Sequence, residues 1–245
     1  MIVKQKKEGW EIISHYTHGL LAGKIANQLK EELKTPHWLD VLTAIIEHDD
    51  HLLDFDEQNY LTDTGAPMDF TMSAGTPTEI LAHARSVYND ALQKSQLVAL
   101  LVGRHLSFLN EELAKDFKEM QLFLVEVEKN RNNQRKLYAL NKADEDALYD
   151  ILLFCDRCSL ILCQDKIPEV ERKLEINKTI EKNTYFIAKN AENKIKIEPW
   201  CFENDHFKLR LEYRILTKAA YKNNQELEHD LENAKVEIRT FQFEK

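Results

Sequence analysis

The residues best equipped for chemistry are His18, the pair His48-Asp49, His83, His105 and Asp156. Each falls where an apolar stripe would place it inside the protein. His18 keeps step with Ala22, Ile25, Ala26 and Leu29, and His48-Asp49 closes the run Val41-Leu42-Thr43-Ala44-Ile45-Ile46. His83 shares a face with Ile80, Ala84 and Val87, His105 with Leu97 and Leu101, and Asp156 with Leu148 and Leu152. One buried histidine is more often a hydrogen-bonded core residue than a ligand. Several histidines and two aspartates gathered in one core are costly to bury, whereas a shared divalent ion neutralises the carboxylates and uses the imidazole lone pairs. Nitrogen and oxygen donors in this mix suit Mn²⁺, Fe²⁺ or a similar ion better than Mg²⁺. His51 or Asp50, directly after the pair, is the candidate acid or base, or else these two support the neighbouring ligands or belong to the solvated surface.

Positioning these residues takes a series of helices. The three-to-four spacing predicts a helix from Ser14 that Pro36 breaks, and a second that opens at His37 and carries His48-Asp49 at its end. Asp54 to Pro77 has no sustained period and reads as a long loop, its aspartates lacking calcium-loop spacing. Helices follow from Thr78, from about Ser95 to Leu109, from Glu111 to Lys136 and from Asp144. Near the start, Ile2-Val3 and Trp10-Glu11-Ile12-Ile13 suggest a short strand. After Pro168 the period changes to two, at Tyr185-Phe186-Ile187-Ala188, Lys194-Ile195-Lys196-Ile197, Phe207 to Tyr213 and Val236 to Phe243, as in half-buried antiparallel strands. Asn223 to Ala234 reads as a helix between the last two.

Composition narrows the partners. With 42 acidic residues against 33 basic, a net charge of −9 disfavours a nucleic acid polymer. No apolar run approaches the roughly 18 to 20 residues that cross a bilayer, and no signal peptide is read, so the cytoplasm is the expected compartment. Cys155, Cys158, Cys163 and Cys201 do not have the spacing of a disulfide framework and are expected as thiols.

The order His…His-Asp…Asp, carried by His18, His48-Asp49 and Asp156, resembles the HD-domain superfamily of metal-dependent phosphohydrolases. His83 and His105 look like the additional histidines of its dinuclear variant, found in cyclic dinucleotide phosphodiesterases and a few diiron oxygenases. More of the chain is similar to a bacterial family of uncharacterised function, thought to be HD-like. That likeness runs through His18-Gly19-Leu20-Leu21-Ala22-Gly23, Thr64-Gly65-Ala66-Pro67-Met68-Asp69-Phe70, Leu100-Leu101-Val102-Gly103-Arg104-His105, Asp156-Arg157-Cys158-Ser159-Leu160 and Glu198-Pro199-Trp200.

The resemblance implies a first metal on His18, His48, Asp49 and Asp156, and a second on His83 and His105 with Asp49 bridging. Two such ions about 3.5 to 4 Å apart activate water and steady the attacking and leaving oxygens. Asp50-His51-Leu52 stands where the commoner HD pattern has a small residue, glycine and lysine. Arg104 and Arg157, each beside a proposed ligand, are the candidate phosphate contacts in place of that lysine, or else members of salt bridges.

The fold expected is mainly α, an HD-domain-like helical bundle over residues 1–166, with a smaller C-terminal antiparallel β region over 167–245. The function expected is hydrolysis of a small-molecule phosphate ester or nucleotide at a mono- or dinuclear His/Asp site. The rivals are a diiron oxygenase on the same ligands and a metal-binding or ligand-binding sensor without turnover. A homo-oligomer is compatible with any of these.

Overall fold

The structure, a computed structural model, describes residues 1–50, 53, 55, 58–72, 75–169, 172–181 and 183–245, leaving aside the side chains of 177–179. The chain opens with strands β1 (Ile2–Lys6) and β2 (Gly9–Ile13). Helices α1 (His15–Asn27), α2 (Trp38–Glu47), α3 (Pro77–Lys94), α4 (Gln96–Leu109), α5 (Leu113–Asp116), α6 (Lys118–Leu137) and α7 (Lys142–Cys163) follow. Strands β3 (Leu174–Ile180), β4 (Asn183–Lys189), β5 (Ile195–Glu198) and β6 (His206–Leu216) come next, then α8 (Asn224–Asn233) and β7 (Lys235–Glu244).

Local chemistry sets several helix ends. Thr76 caps α3 through a reciprocal box with Glu79 while Pro77 occupies the first turn, where its missing N–H leaves nothing unsatisfied. Ser14 caps α1, Ser95 caps α4, and Asn141 with Asp144 boxes α7. The helix predicted from Glu111 to Lys136 is divided, because Phe117 adopts an extended conformation between α5 and α6.

The strands overturn the expected helical bundle with a small C-terminal antiparallel region. All seven form one sheet in the order β1-β2-β6-β7-β5-β4-β3, so the N-terminal hairpin belongs to the same sheet as the C-terminal strands. The sheet is mixed: β5 runs parallel to β7 through Ile195 and Phe243, and the other pairs are antiparallel. Its longest ladder joins β6 to β7 from His206↔Glu244 to Ile215↔Lys235.

Sheet and helices share an apolar core. Ile2 and Ile13 from the hairpin, Leu209, Leu211 and Phe243 from the central strands, and Leu21, Ile25 and Leu29 from α1 lie in one buried cluster with Leu152 and Phe154 of α7. Helix α1 packs against α2, α7 and β6, and α7 packs on β3. Fully buried Glu145 of α7 pairs with Arg131 and Arg135 of α6, locking those helices together. Among the described residues no helix is long and apolar enough to cross a membrane. All four cysteines are free and buried, and burial pushes the Cys163 and Cys201 thiols up to about 12, where they are inert as nucleophiles.

Candidate metal centre

Helices α1, α2 and α7 meet at three buried polar side chains. His18 lies one turn into α1, His48 sits at the C-terminal cap of α2, and Asp156 is two-thirds of the way along α7. Close approach of α1 and α2 depends on glycine. A Cβ on Gly19 would sit 2.0 Å from the Ile46 carbonyl oxygen, and one on Gly23 would sit 2.4 Å from the Ile46 side chain. The two glycines, one turn apart, form a smooth face on which the end of α2 rests and by which His48 is brought to His18.

His18 Nε2 stands 3.1 Å from Asp156 Oδ1, and His48 Nε2 stands 3.2 Å from the same oxygen. His18 and His48 are each 1% exposed and Asp156 is 8% exposed. Among the described residues these three form the one group of histidine, cysteine or carboxylate side chains whose ligand atoms converge within 4.8 Å, and the group could hold a metal ion.

The surrounding hydrogen bonds fix which ring nitrogens carry protons. His48 Nδ1 lies 2.7 Å from the Ile45 carbonyl, which can only accept, so Nδ1 donates. Ser159 directs its hydroxyl proton to the Asp156 carbonyl at 2.8 Å, so its oxygen accepts from His18 Nδ1, also at 2.8 Å. Neutral rings in these tautomers turn both Nε2 lone pairs toward the carboxylate. Orienting a ligating imidazole through its other nitrogen is how metal sites are usually supported.

Charge follows the same geometry. Burial acts to lower the pKa of His48, but the charges of Asp156 and Asp49 outweigh it and raise it to about 9. Burial lowers His18 below its ordinary 6.5 despite its bond to Asp156. Asp156 is held well below the usual carboxylate range, because His48 and the two histidine contacts overcome its burial. One proton can therefore sit between His48 and Asp156, while the neutral His18 still faces the carboxylate with a lone pair. A divalent cation satisfies all three atoms at once.

The other predicted site residues fall around this centre. His105 is buried on α4, its ring centroid 5.0 Å from that of His48, with Nδ1 3.3 Å from the Tyr149 hydroxyl. Burial and the His48 charge hold it neutral, at about 4. Asp49 is not one of the three converging residues, although its charge acts on His18, His48 and His105. Its Oδ2 accepts from His15 Nδ1 at 2.9 Å, and that contact helps hold it below the carboxylate range against its burial. His83 of α3 is half-buried and joins two cavities. The smaller, about 200 Å³, is lined by His15, Asp49, Phe70 and His83. The larger, about 590 Å³, is lined by Glu47, Asp50, Glu79, Asp90 and Lys94 besides His83. Asp50 there is raised to about 6 by burial and the Glu47 charge.

Arg104 stacks over the Tyr149 ring at 5.0 Å with Asp146 3.6 Å away, and Arg157 is half-buried beside Asp156. Neither lines those two cavities. His51 lies outside the described residues, as do Asp54 and Asp56 of the predicted loop. Sequence reasoning gave no role to Ser159, although its position one turn beyond Asp156 is a usable signal.

The family model described as "Protein of unknown function (DUF3891)" matches residues 1–218. The chain belongs to that family. The DUF3891 match spans β1 through β6 and takes in all three converging residues together with Ser159, ending before α8 and β7. No curated protein and no solved structure matches the chain.

Proposed function

We propose that the protein is a metal-dependent phosphohydrolase acting on a small-molecule phosphate ester or nucleotide, its cation held by His18, His48 and Asp156. The observation that carries this reading is the convergence of two histidine Nε2 atoms on one Asp156 oxygen, with both Nδ1 protons already engaged. The HD-like order of these residues supports it, and Mn²⁺ or Fe²⁺ fits the donor set.

When bound, such an ion supplies Lewis acidity to a phosphoryl oxygen and eases deprotonation of water. The chain supplies the rest. Ser159 and the Ile45 carbonyl orient the two imidazoles, and the burial of His18 and His48 excludes bulk water. His105 stands against His48 as a neutral ring fixed by Tyr149. To Asp50, on the wall of the larger cavity and raised to about 6, this reading assigns the donation of a proton to the leaving oxygen. Asp49, held by His15, adds negative charge beside the centre.

One observation favours a second reading. The near-complete burial of all three residues also suits a metal that organises a sensor module without turnover. Elemental analysis of protein prepared without chelator or affinity tag, followed by assays of the Mn²⁺- and Fe²⁺-loaded forms on mono- and diesters, separates the readings. Metal with hydrolysis supports the enzyme and metal without hydrolysis supports the sensor. Failure to take up either ion, even anaerobically, would sink both.

A further inference from the structure

A further cavity, of about 310 Å³, lies between the end of α7, the β4–β5 turn and β7. Arg239 of β7 lines it. Its guanidinium is fixed on two sides, by Glu11 at 2.6 Å from Nη2 and by the Tyr213 ring with its centroid 4.9 Å away. Nη1 is buried and makes no hydrogen bond. A buried guanidinium N–H without an acceptor is a costly arrangement, and one that calls for an explanation.

The cavity's other charges supply one. Lys189 and Lys194 stand on its wall with Asp165 and Glu192. Both acids are already engaged: Asp165 lies 3.3 Å from Lys4, and Glu192 lies 2.7 Å from Lys194, which also reaches Glu244 at 3.0 Å. Lys189 makes no carboxylate contact within 4.0 Å among the described residues, and its charge acts on Asp165 across the cavity. In a chain of net charge −9 this wall holds a lysine and a guanidinium that share one lining carboxylate, Asp165, with Lys4, and one guanidinium N–H has no acceptor. A planar guanidinium pinned by a carboxylate on one edge and an aromatic ring on its face is preorganised to donate from its remaining edge to a second oxyanion.

We infer that this cavity binds a small oxyanion, the phosphate or carboxylate group of a soluble metabolite, with Arg239 Nη1 donating to it and Lys189 supplying the counter-charge. The site shares no residue with the metal centre and does not depend on the function proposed for it.

Calorimetric titration of metal-free protein with inorganic phosphate, and separately with acetate, tests this. Wild type is compared with Lys189→Gln and Arg239→Lys. Lys189 is half-buried at the end of β4, so its variant leaves the core intact, whereas Arg239→Lys retains a charge for Glu11 but loses the planar fork. At least one of the two anions is expected to bind with millimolar affinity, weakened about fivefold or more in Lys189→Gln and further in Arg239→Lys. No binding of either anion up to about 50 mM would overturn the inference. So would affinity unchanged in Lys189→Gln, which keeps the test decisive if Arg239→Lys does not fold.

Discussion

His18 and His48, thirty positions apart in the chain, present their Nε2 atoms to a single oxygen of Asp156 at 3.1 and 3.2 Å. The shared oxygen makes the carboxylate charge decisive. Asp156→Asn keeps the volume and removes that charge, so metal content is expected to fall to background, and His48→Ala is expected to do the same. Lys24→Ala removes only an exposed hydrogen bond to the Arg210 carbonyl and serves as the control. Elemental analysis of the three variants decides, and equal metal in all of them would refute the assignment.

Ser159 is expected to matter without touching the ion. It holds His18 Nδ1, so Ser159→Ala frees the ring to rotate or change tautomer. Metal affinity should fall by about 10- to 100-fold, while the circular dichroism spectrum stays that of the wild type. Competition with a fluorescent chelator measures the affinity. An unchanged value would mean that packing alone orients His18.

Much of the centre was legible because a histidine or aspartate on an apolar helical stripe is conspicuous, and His18, His48 and Asp156 all announce themselves that way. The hydrogen bond between Asp49 and His15 was not, since it joins residues 34 positions apart, one opening α1 and the other just past α2, and no local period encodes it. The sheet was the larger loss. Alternation marked its strands, but β2 joins β6 through Trp10↔Leu216, a pairing across most of the chain that no local period encodes. Nor did any proline or glycine announce the break at Phe117.

The titration of the histidines predicts a stability maximum for the metal-free protein. The His48 pKa is raised from 6.5 to about 9, so its contribution is full below pH 6.5 and is lost as pH rises through 9. His105 runs the other way. Lowered to about 4, it withdraws stability as pH falls from 6.5 toward 4, and His18 acts in the same direction. Together these groups place the optimum of their combined contribution near pH 6.5. Melting temperatures across pH 4 to 10 would show it, and His48→Gln should flatten the alkaline limb selectively. An alkaline limb of the same slope in that variant would exclude His48 as its origin.

Gly19 links the backbone to the chemistry. Its absent side chain lets α2 lie on α1, and a Cβ there would meet the Ile46 carbonyl oxygen at 2.0 Å, a backbone atom that no rotamer change can move aside. Gly19→Ala must therefore push the end of α2 outward and carry His48 away from His18. The expected cost is about 1–3 kcal/mol in stability, as for other overpacked sites. Metal affinity should fall as well, although no ligand is altered. Leu20→Ala, at a neighbouring position that is 44% exposed, should leave both nearly unchanged. Denaturant unfolding and metal titration on the same samples distinguish the outcomes. A Gly19→Ala protein of lower stability but wild-type affinity would show that the centre tolerates a shifted α2.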